Sequence, residues 1–255
     1  MTYHASTAPI RKRLTNLDLN RLDAIIFDVD GVLTDTARVH AAAWKKVVDE
    51  FLHDHFGADF KPFDEVAEYG RYVDGKPRME AVQAFLESRG LIHVVRRKQI
   101  DELAARKDAI FSEQIKRHGV RPYPTTATVV SSLRDKGART AAVSASEYGG
   151  LVLDTAGLLD LFDVVVDGIV AKRLLLPGTP DPALFHEAAY RLGVPARRAA
   201  IVEDALSGVE AGRRGIFGLV IGVDRTGERA RRNDMRRQGA DMVVGDLAEI
   251  EVTQR

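Results

Sequence analysis

The sequence predicts an α/β fold, with a parallel sheet covered by helices on both faces and an all-helical domain inserted near its start. The first observation is the fully apolar run at residues 24–27, which is typical of a strand buried on both faces. The second is the alternation of strand-length and helix-length segments from residue 122 onwards, which is typical of a parallel sheet. The third is the stretch of residues 57–120, which contains no convincing strand and therefore predicts an inserted helical domain.

The composition fits one large domain, or a domain with an insert, that has a full hydrophobic core. The chain has 255 residues, 45% of them hydrophobic, and its 37 Lys and Arg residues balance 37 Asp and Glu residues. This zero net charge favours neither nucleic acid nor a membrane surface as a partner, so we expect neither. The absence of cysteine excludes disulfides, thiolate metal sites and a cysteine nucleophile.

The first part of the chain is expected to form a loosely ordered arm over residues 1–20. It carries Arg11, Lys12 and Arg13, but no apolar run follows them, so we expect no secretory signal. Nor does any apolar run elsewhere approach the ~20 residues that span a bilayer. We therefore take a cytoplasmic, monomeric protein as the default.

The segment after the first strand is predicted to be a long helix over residues 34–56, because Val39, Val47 and Phe51 recur at helical spacing. Further helices are predicted over residues 64–69, 79–89 and 99–118. We assign residues 37–120 to a cap domain, with the core formed by residues 21–36 and 121–255.

The remainder of the chain alternates between strands and helices. Strands are predicted over residues 139–143, 162–166, 199–202, 217–221 and 241–244. Helices are predicted over residues 125–136, 147–156, 181–192, 206–213 and 227–237. Gly137, Gly157 and Gly193 follow three of these helices at the position where glycine commonly ends a helix.

Acidic residues at the end of the first strand indicate chemistry. Asp28 and Asp30 follow the apolar run directly, although Asp is a poor strand residue. Ligands of open α/β sheets bind at the carboxyl ends of strands. One carboxylate could attack phosphorus while the other handles the proton of the leaving oxygen, and both suit a hard cation such as Mg²⁺. The alternative is an ordinary turn, since Asp-Gly is a common turn dipeptide.

Two later strand ends carry polar residues in the same way. Ser144, Ala145 and Ser146 open a helix, where a hydroxyl and backbone amides can cradle a phosphate, although a plain helix cap is the alternative. Glu203 and Asp204 form a second acidic pair. Two acidic pairs at strand ends of one sheet predict an oxygen-rich cation site.

Three residues at helical spacing follow the first acidic pair. Thr36, His40 and Trp44 lie at i, i+4 and i+8, which places them on one helix face. The alternative for Trp44 is core packing, and for His40 it is a satisfied core or surface histidine. In the insert, Lys76 and Arg78 lie in a Gly/Pro turn and could bind a phosphate.

Together these residues resemble a known family. Phe27–Asp35, Val143–Ser146 and Val202–Gly208 resemble three of the four motifs of the haloacid dehalogenase-like superfamily. Thr36, His40 and Trp44, the helical insert, and Arg106–Asp108 resemble its β-phosphoglucomutase subgroup.

The resemblance implies a Rossmann-like core and a mobile four-helix cap acting on a small sugar phosphate. It implies that Asp28 is the nucleophile, Asp30 the general acid/base and Ser144 a ligand of the transferring phosphoryl group. Mg²⁺ is expected between Asp28, the carbonyl of Asp30 and Asp204, with Glu203 nearby. We expect the neighbouring charge to raise the pKa of Asp30. Substrate contacts are expected from Thr36, His40, Trp44, Lys76, Arg78, Lys107, Ala145 and Ser146.

The sequence departs from the family pattern at two places. Thr179 stands where the fourth motif has a lysine, and Lys172 or Arg173 could replace that cation unless both are solvated loop charges. Glu147 and Tyr148 stand where the subgroup has a cation and an asparagine, and Glu147 is expected to repel a substrate phosphate. Three hypotheses stay open: a mutase, a sugar-phosphate phosphatase, and a degenerate homologue that only binds a sugar phosphate or a protein.

Overall fold

The computed structural model describes residues 16–254 and contains a parallel six-stranded sheet. Its strands are β2 (Ala24–Asp28), β3 (Arg139–Val143), β4 (Val164–Val166), β5 (Ala199–Glu203), β6 (Leu219–Val223) and β7 (Met242–Val244). They lie in the order β4-β3-β2-β5-β6-β7. The α/β prediction is confirmed, and each predicted strand is present within three residues at either end.

The central strand β2 is buried on both faces, as its unbroken apolar run predicts. Ile25 and Phe27 pack into the core on one face of the sheet, with Val130 and Val152 from the helices there. Ala24 and Ile26 face the other side, in a separate core that includes Phe185. The two cores fix β2 at the centre of the molecule.

Nine α-helices lie within residues 16–254. They are α1 (Ala37–Phe56), α2 (Arg78–Ser88), α3 (Arg97–His118), α4 (Thr126–Asp135), α5 (Gly149–Thr155), α6 (Gly168–Leu174), α7 (Ala183–Leu192), α8 (Leu206–Arg214) and α9 (Arg229–Gln238). The helix α6 was not predicted, although Asp167 caps it by accepting hydrogen bonds from the amides of Ile169 and Val170. None of the helices in this part of the chain is long and apolar enough to cross a membrane.

The predicted N-terminal arm is wrong for its last residues. Leu17–Asp18 form the short strand β1, which pairs in parallel with β8 (Val252–Thr253). Leu17 is fully buried, in the same core as Ile25 and Phe27. A two-residue strand has too little sequence to show a pattern, and its partner lies at the other end of the chain. Residues 1–15 of the predicted arm lie outside the described residues.

The cap helices have an apolar core of their own, with Trp44, Phe51, Phe85 and Leu103 among its members. Within the described residues the cap contains three α-helices, α1 to α3, and not the four that the resemblance implied. The helix predicted over residues 64–69 is displaced to a π-helical turn at Tyr69–Val73. The domain bounds drawn from the sequence stay a prediction.

Candidate active site

Sheet register brings the polar strand ends together. Asp28 pairs with Val143 of β3, so Ser144 follows at the same edge. On the other side Phe27 pairs with Val202 of β5, which places Glu203 beside Asp28. The three strands are adjacent and parallel, and their carboxyl ends therefore form one polar edge.

Three carboxylates meet at this edge. One oxygen each of Asp28, Glu203 and Asp204 lies within 4.8 Å of the others. Gly31 makes this approach possible, because its φ of +90° suits glycine and an added Cβ would overlap the carboxylate of Asp204. Glu203 is buried, and one of its oxygens accepts a 2.6 Å hydrogen bond from the amide of Ala205. Clustered carboxylate oxygens are the donor set that Mg²⁺ prefers, so the residues fit the expected ion.

Crowding changes the proton affinity of the cluster. Burial, together with the charges of Glu203, Asp30 and Asp204, raises the pKa of Asp28 well above its usual value. Burial likewise raises the pKa of Glu203 to about 8, although the amide of Ala205 opposes it. The pKa of Asp204 is raised by burial and by the charges of Asp74 and Glu203. A divalent cation would stabilise the ionised forms of these groups, which burial and mutual repulsion disfavour.

The carboxylate of Asp30 is not a member of this cluster and is bound by other side chains. One oxygen accepts a 2.8 Å hydrogen bond from Ser144 Oγ, and the other accepts one from Thr36 Oγ1 and lies 3.3 Å from His40 Nε2. Burial alone would raise its pKa, but the neighbouring His40 ring and the hydrogen bonds from the hydroxyls of Thr36 and Ser144 lower it to about 2. The predicted rise is therefore wrong. The metal contact expected from the backbone carbonyl of Asp30 stays a prediction.

Thr36 and Ser144 hold Asp30 and do not line the cavity at the site. Ser144 is 1% exposed, and its hydroxyl also accepts a 3.1 Å hydrogen bond from the amide of Ser146. Their expected contacts with substrate stay predictions. Ala145 and Ser146, at the start of the same loop, do line the cavity.

His40 connects Asp30 to the cap. Its Nδ1 lies 2.8 Å from the Nζ of Lys107, and its ring stacks on Phe111. Lys107 is buried, lies 3.6 Å from Asp108 and sits 5.7 Å from the centre of the Trp44 ring. Burial lowers the pKa of Lys107 to about 8 against the opposing charge of Asp108. His40, Trp44 and Lys107 all face the cavity, and Trp44 also packs in the cap core.

A cavity of about 300 Å³ lies between the core and the cap, and Asp28 and Asp204 open into it. This volume suits a small ligand. The cap contributes the turn Asp74–Arg78, with Met79, Glu80, Lys107 and Asp108. The site is therefore enclosed by both parts of the chain.

The expected repulsion by Glu147 is not what the structure shows. Arg78 of the cap approaches Glu147 at 3.2 Å and also pairs with Asp108. Lys172 approaches the same Glu147 oxygen at 3.5 Å. Glu147 thus balances two cations and bridges core and cap, so its charge is not free to repel a phosphate.

Neither candidate replaces the missing lysine in this structure. Lys172 and Arg173 lie on α6; Lys172 pairs with Glu147, and Arg173 does not line the cavity. Thr179 is 5% exposed, and its hydroxyl donates a 2.6 Å hydrogen bond to the carbonyl of Gly75 in the cap. The motif position is therefore a contact between core and cap.

Two residues that organise the site were not predicted from the sequence. Asp74 lines the cavity, and burial raises its pKa to about 6 against the charge of Arg231. Arg225 binds the loop after Asp30: its guanidinium donates to the carbonyls of Gly31 at 3.1 Å and Val32 at 2.9 Å. It also stacks on the Tyr123 ring, with 3.4 Å from Cζ to the ring centre. Asp74 is the first residue of the Gly/Pro turn, which is a usable signal in the sequence, whereas no local pattern marks Arg225.

The cluster predicts how Mg²⁺ affects stability at different pH values. Asp28, Glu203 and Asp204 hold protons in the folded state that the unfolded chain releases near pH 4. Without Mg²⁺, they make the free energy of unfolding fall as pH rises above about 4, and the contribution of Glu203 continues to about pH 8. Asp30 acts oppositely, but only between about pH 4 and about pH 2. We expect Mg²⁺ to raise the unfolding temperature more at pH 8 than at about pH 5. Thermal scans with EDTA and with Mg²⁺ check this; an equal increase at both pH values would contradict it.

Comparison with known proteins agrees with this geometry. A family model described as haloacid dehalogenase-like hydrolase matches residues 22–215. A beta-phosphoglucomutase of Mycobacterium bovis is 38% identical over 259 residues, covering 97% of this chain and 98% of that protein. A phosphorylated carbohydrates phosphatase of Thermotoga maritima is 30% identical over 208 residues, covering 79% of this chain and 85% of that protein.

A solved structure shows that the fold is shared. The crystal structure of beta-phosphoglucomutase from Clostridium difficile superposes with a TM-score of 0.73 at 24% identity, covering 90% of this chain and 93% of that one. The fold and the sequence relatives therefore both match the family that the motifs around Asp28 and Glu203 resemble. The chain belongs to the haloacid dehalogenase-like hydrolases, in their β-phosphoglucomutase-like group, and is an enzyme of the phosphatase or phosphomutase type.

Proposed function

We propose that this enzyme transfers the phosphoryl group of a small sugar phosphate through an aspartyl phosphate on Asp28, with Mg²⁺ as cofactor. The observation that carries the proposal is the meeting of Asp28, Glu203 and Asp204 at the mouth of an enclosed cavity. Phosphoryl transfer depends on positioning and on neutralising charge, and this cluster can do both when it holds a cation.

The first half-reaction forms the aspartyl phosphate. An oxygen of Asp28 bonds to phosphorus while the bond from phosphorus to the sugar oxygen breaks, and that oxygen takes the proton that Asp30 acquired from the nucleophile of the preceding turnover. Mg²⁺, held by Asp28, Glu203, Asp204 and the carbonyl of Asp30, would neutralise charge on Asp28 and on the phosphoryl oxygens.

The second half-reaction returns the phosphoryl group to an oxygen nucleophile. A sugar hydroxyl in a mutase, or water in a phosphatase, bonds to phosphorus while the bond to Asp28 breaks. Asp30 is ionised, faces the cavity and can take the proton of that nucleophile. The proton that it then holds is the one that a leaving sugar oxygen requires in the first half-reaction.

We place the mutase before the phosphatase. The 38% identical relative named beta-phosphoglucomutase extends over nearly the whole chain. The contacts of Arg78 and Thr179 between cap and core also favour it, because a closed cap keeps water away from the aspartyl phosphate. The 30% identical relative named phosphorylated carbohydrates phosphatase supports the second candidate. Nothing among the relatives favours the degenerate binding protein.

The two candidates differ in their products. We expect β-glucose 1-phosphate and Mg²⁺ to yield glucose 6-phosphate without net release of phosphate. Release of one phosphate for each sugar consumed would identify the phosphatase. The proposal would be contradicted if the enzyme, supplied with Mg²⁺ and a panel of sugar phosphates, formed neither an isomerised sugar phosphate nor free phosphate. A cytoplasmic, monomeric enzyme without nucleic-acid or membrane partners stays part of the proposal.

A further inference from the structure

The position of the missing lysine binds a specific part of the cap. Thr179 Oγ1 donates to the carbonyl of Gly75, and Ser207 Oγ donates a 3.2 Å hydrogen bond to the carbonyl of Asp74. The two hydroxyls lie 3.0 Å apart. Two core side chains thus hold two consecutive carbonyls of the turn Asp74–Arg78.

The turn lies directly against these hydroxyls. Gly75 has a φ of +73°, and an added Cβ would be 2.7 Å from Ser207 Oγ and 3.1 Å from Thr179 Oγ1. Any other residue would therefore be strained by this φ and would have to displace Ser207 Oγ, which binds the turn. The next residue, Lys76, also lines the cavity, and its amide donates a 3.1 Å hydrogen bond to the carbonyl of Val73.

Lys76 differs from the other cations that line the cavity. Arg78 pairs with Asp108 and Glu147, and Lys172 pairs with Glu147. Lys107 lies between His40 and Asp108. Within residues 16–254, Lys76 has no carboxylate within ion-pair distance of its ammonium, so its charge is available to a ligand.

The charge balance of the site calls for such a cation. Asp28, Glu203 and Asp204 carry more negative charge than one divalent cation neutralises, and the transferring group adds oxygens of its own. Thr179 supplies no charge. The turn that carries Lys76 is the one that Thr179 binds, through the carbonyl of the residue before Lys76.

We propose that Lys76 of the cap supplies, at the transferring phosphoryl group, the positive charge that the core lacks at Thr179, and that Thr179 and Ser207 position it by binding the turn. This rests on the proposed function. The lysine has in effect moved from core to cap, so the charge around phosphorus is complete only when the turn is bound to the core.

The absence of cysteine allows a direct test. In Lys76→Cys the only thiol is at position 76, and 2-bromoethylamine converts it to a lysine-like cation. Iodoacetamide converts it to a neutral group of similar size. We expect Lys76→Cys to lower kcat by about 10²–10³ with little change in KM. Treatment with 2-bromoethylamine should raise the kcat of Lys76→Cys at least about tenfold, whereas treatment with iodoacetamide should not raise it. Lys98→Cys is the matched control, since Lys98 lies in the cap on α3 with its side chain 87% exposed.

Two results would overturn the proposal while leaving the proposed function intact. One is a Lys76→Cys enzyme that keeps the kcat of Lys98→Cys. The other is a higher KM with an unchanged kcat, which would show that Lys76 binds a distal phosphate instead. An inactive parent enzyme, equal to Asp28→Asn, would instead contradict the proposed function.

A second-site variant tests the same claim from the core. Thr179→Lys in a Lys76→Met background returns a lysine to the motif position. We expect the pair to recover at least about tenfold in kcat over Lys76→Met alone. If circular dichroism shows a folded protein and kcat does not recover, Lys76 does not replace the motif lysine.

Discussion

Asp28→Asn is expected to lower turnover of a sugar phosphate on the order of 10⁴-fold or more, because it removes the nucleophile of a covalent mechanism. The asparagine keeps the shape of the side chain but has no charged oxygen to bond to phosphorus. Conversion of the sugar phosphate, followed by a coupled assay or by phosphorus NMR, measures the effect.

Stability separates loss of the nucleophile from loss of the fold. Asp28→Asn removes one of three crowded carboxylates, so the Mg²⁺-free variant should unfold at a higher temperature than the parent. The increase on adding Mg²⁺ should become smaller. Asp54→Asn is the control, since its side chain is 70% exposed on α1, far from the cluster. A variant with parental turnover would refute the role of Asp28.

Asp30→Asn is expected to lower turnover of a sugar phosphate by about 10²–10⁴, the range for a general acid/base. The loss should depend on the leaving group. An aryl phosphate releases a stable phenolate that needs no proton, so the aspartyl phosphate should still form from it.

A pre-steady-state experiment separates the two half-reactions. Asp30→Asn should give a burst of phenol equal to the enzyme present, followed by slow turnover, because the variant lacks the group that takes the proton of the second nucleophile. An Asp30→Asn enzyme without a burst and with parental KM would assign Asp30 to the first half-reaction. A Thr36→Val variant, which removes only one hydrogen bond to Asp30, should have a much smaller effect.

The parts of the site that the sequence predicts are those that local pattern determines. Asp28 and Glu203 follow apolar runs, and the sheet must place the ends of such runs at one edge. The acidic cluster could therefore be predicted without a structure. Gly31 belongs to the same pattern, since its position after Asp30 lets the loop approach Asp204.

The proton affinity of Asp30 could not be predicted in the same way. It depends on His40, which Lys107 contacts from a helix 67 residues further along the chain. Sequence proximity to Asp28 suggested a raised pKa, but the hydroxyls of Thr36 and Ser144 stabilise the ionised form. Similar long-range pairing explains Glu147, whose partner Arg78 belongs to the cap.

Short helices and strands were not predicted from the sequence for a different reason. The helix α6 has 7 residues and the strand β1 has 2, too few for a hydrophobic period to be visible. Leu17 is a strand residue only because Val252 lies beside it. Thr179 showed that a cation was missing, but its bond to Gly75 depends on how the cap lies on the core.

Acid quenching during turnover tests the central claim most directly. The enzyme is mixed with a sugar phosphate and Mg²⁺, quenched in acid, digested and analysed by mass spectrometry. A phosphoryl group should be found on the peptide that contains Asp28, should require Mg²⁺ and should be released by hydroxylamine. Turnover with Asp28 unmodified at every quench time, or with the phosphoryl group on another residue, would contradict it.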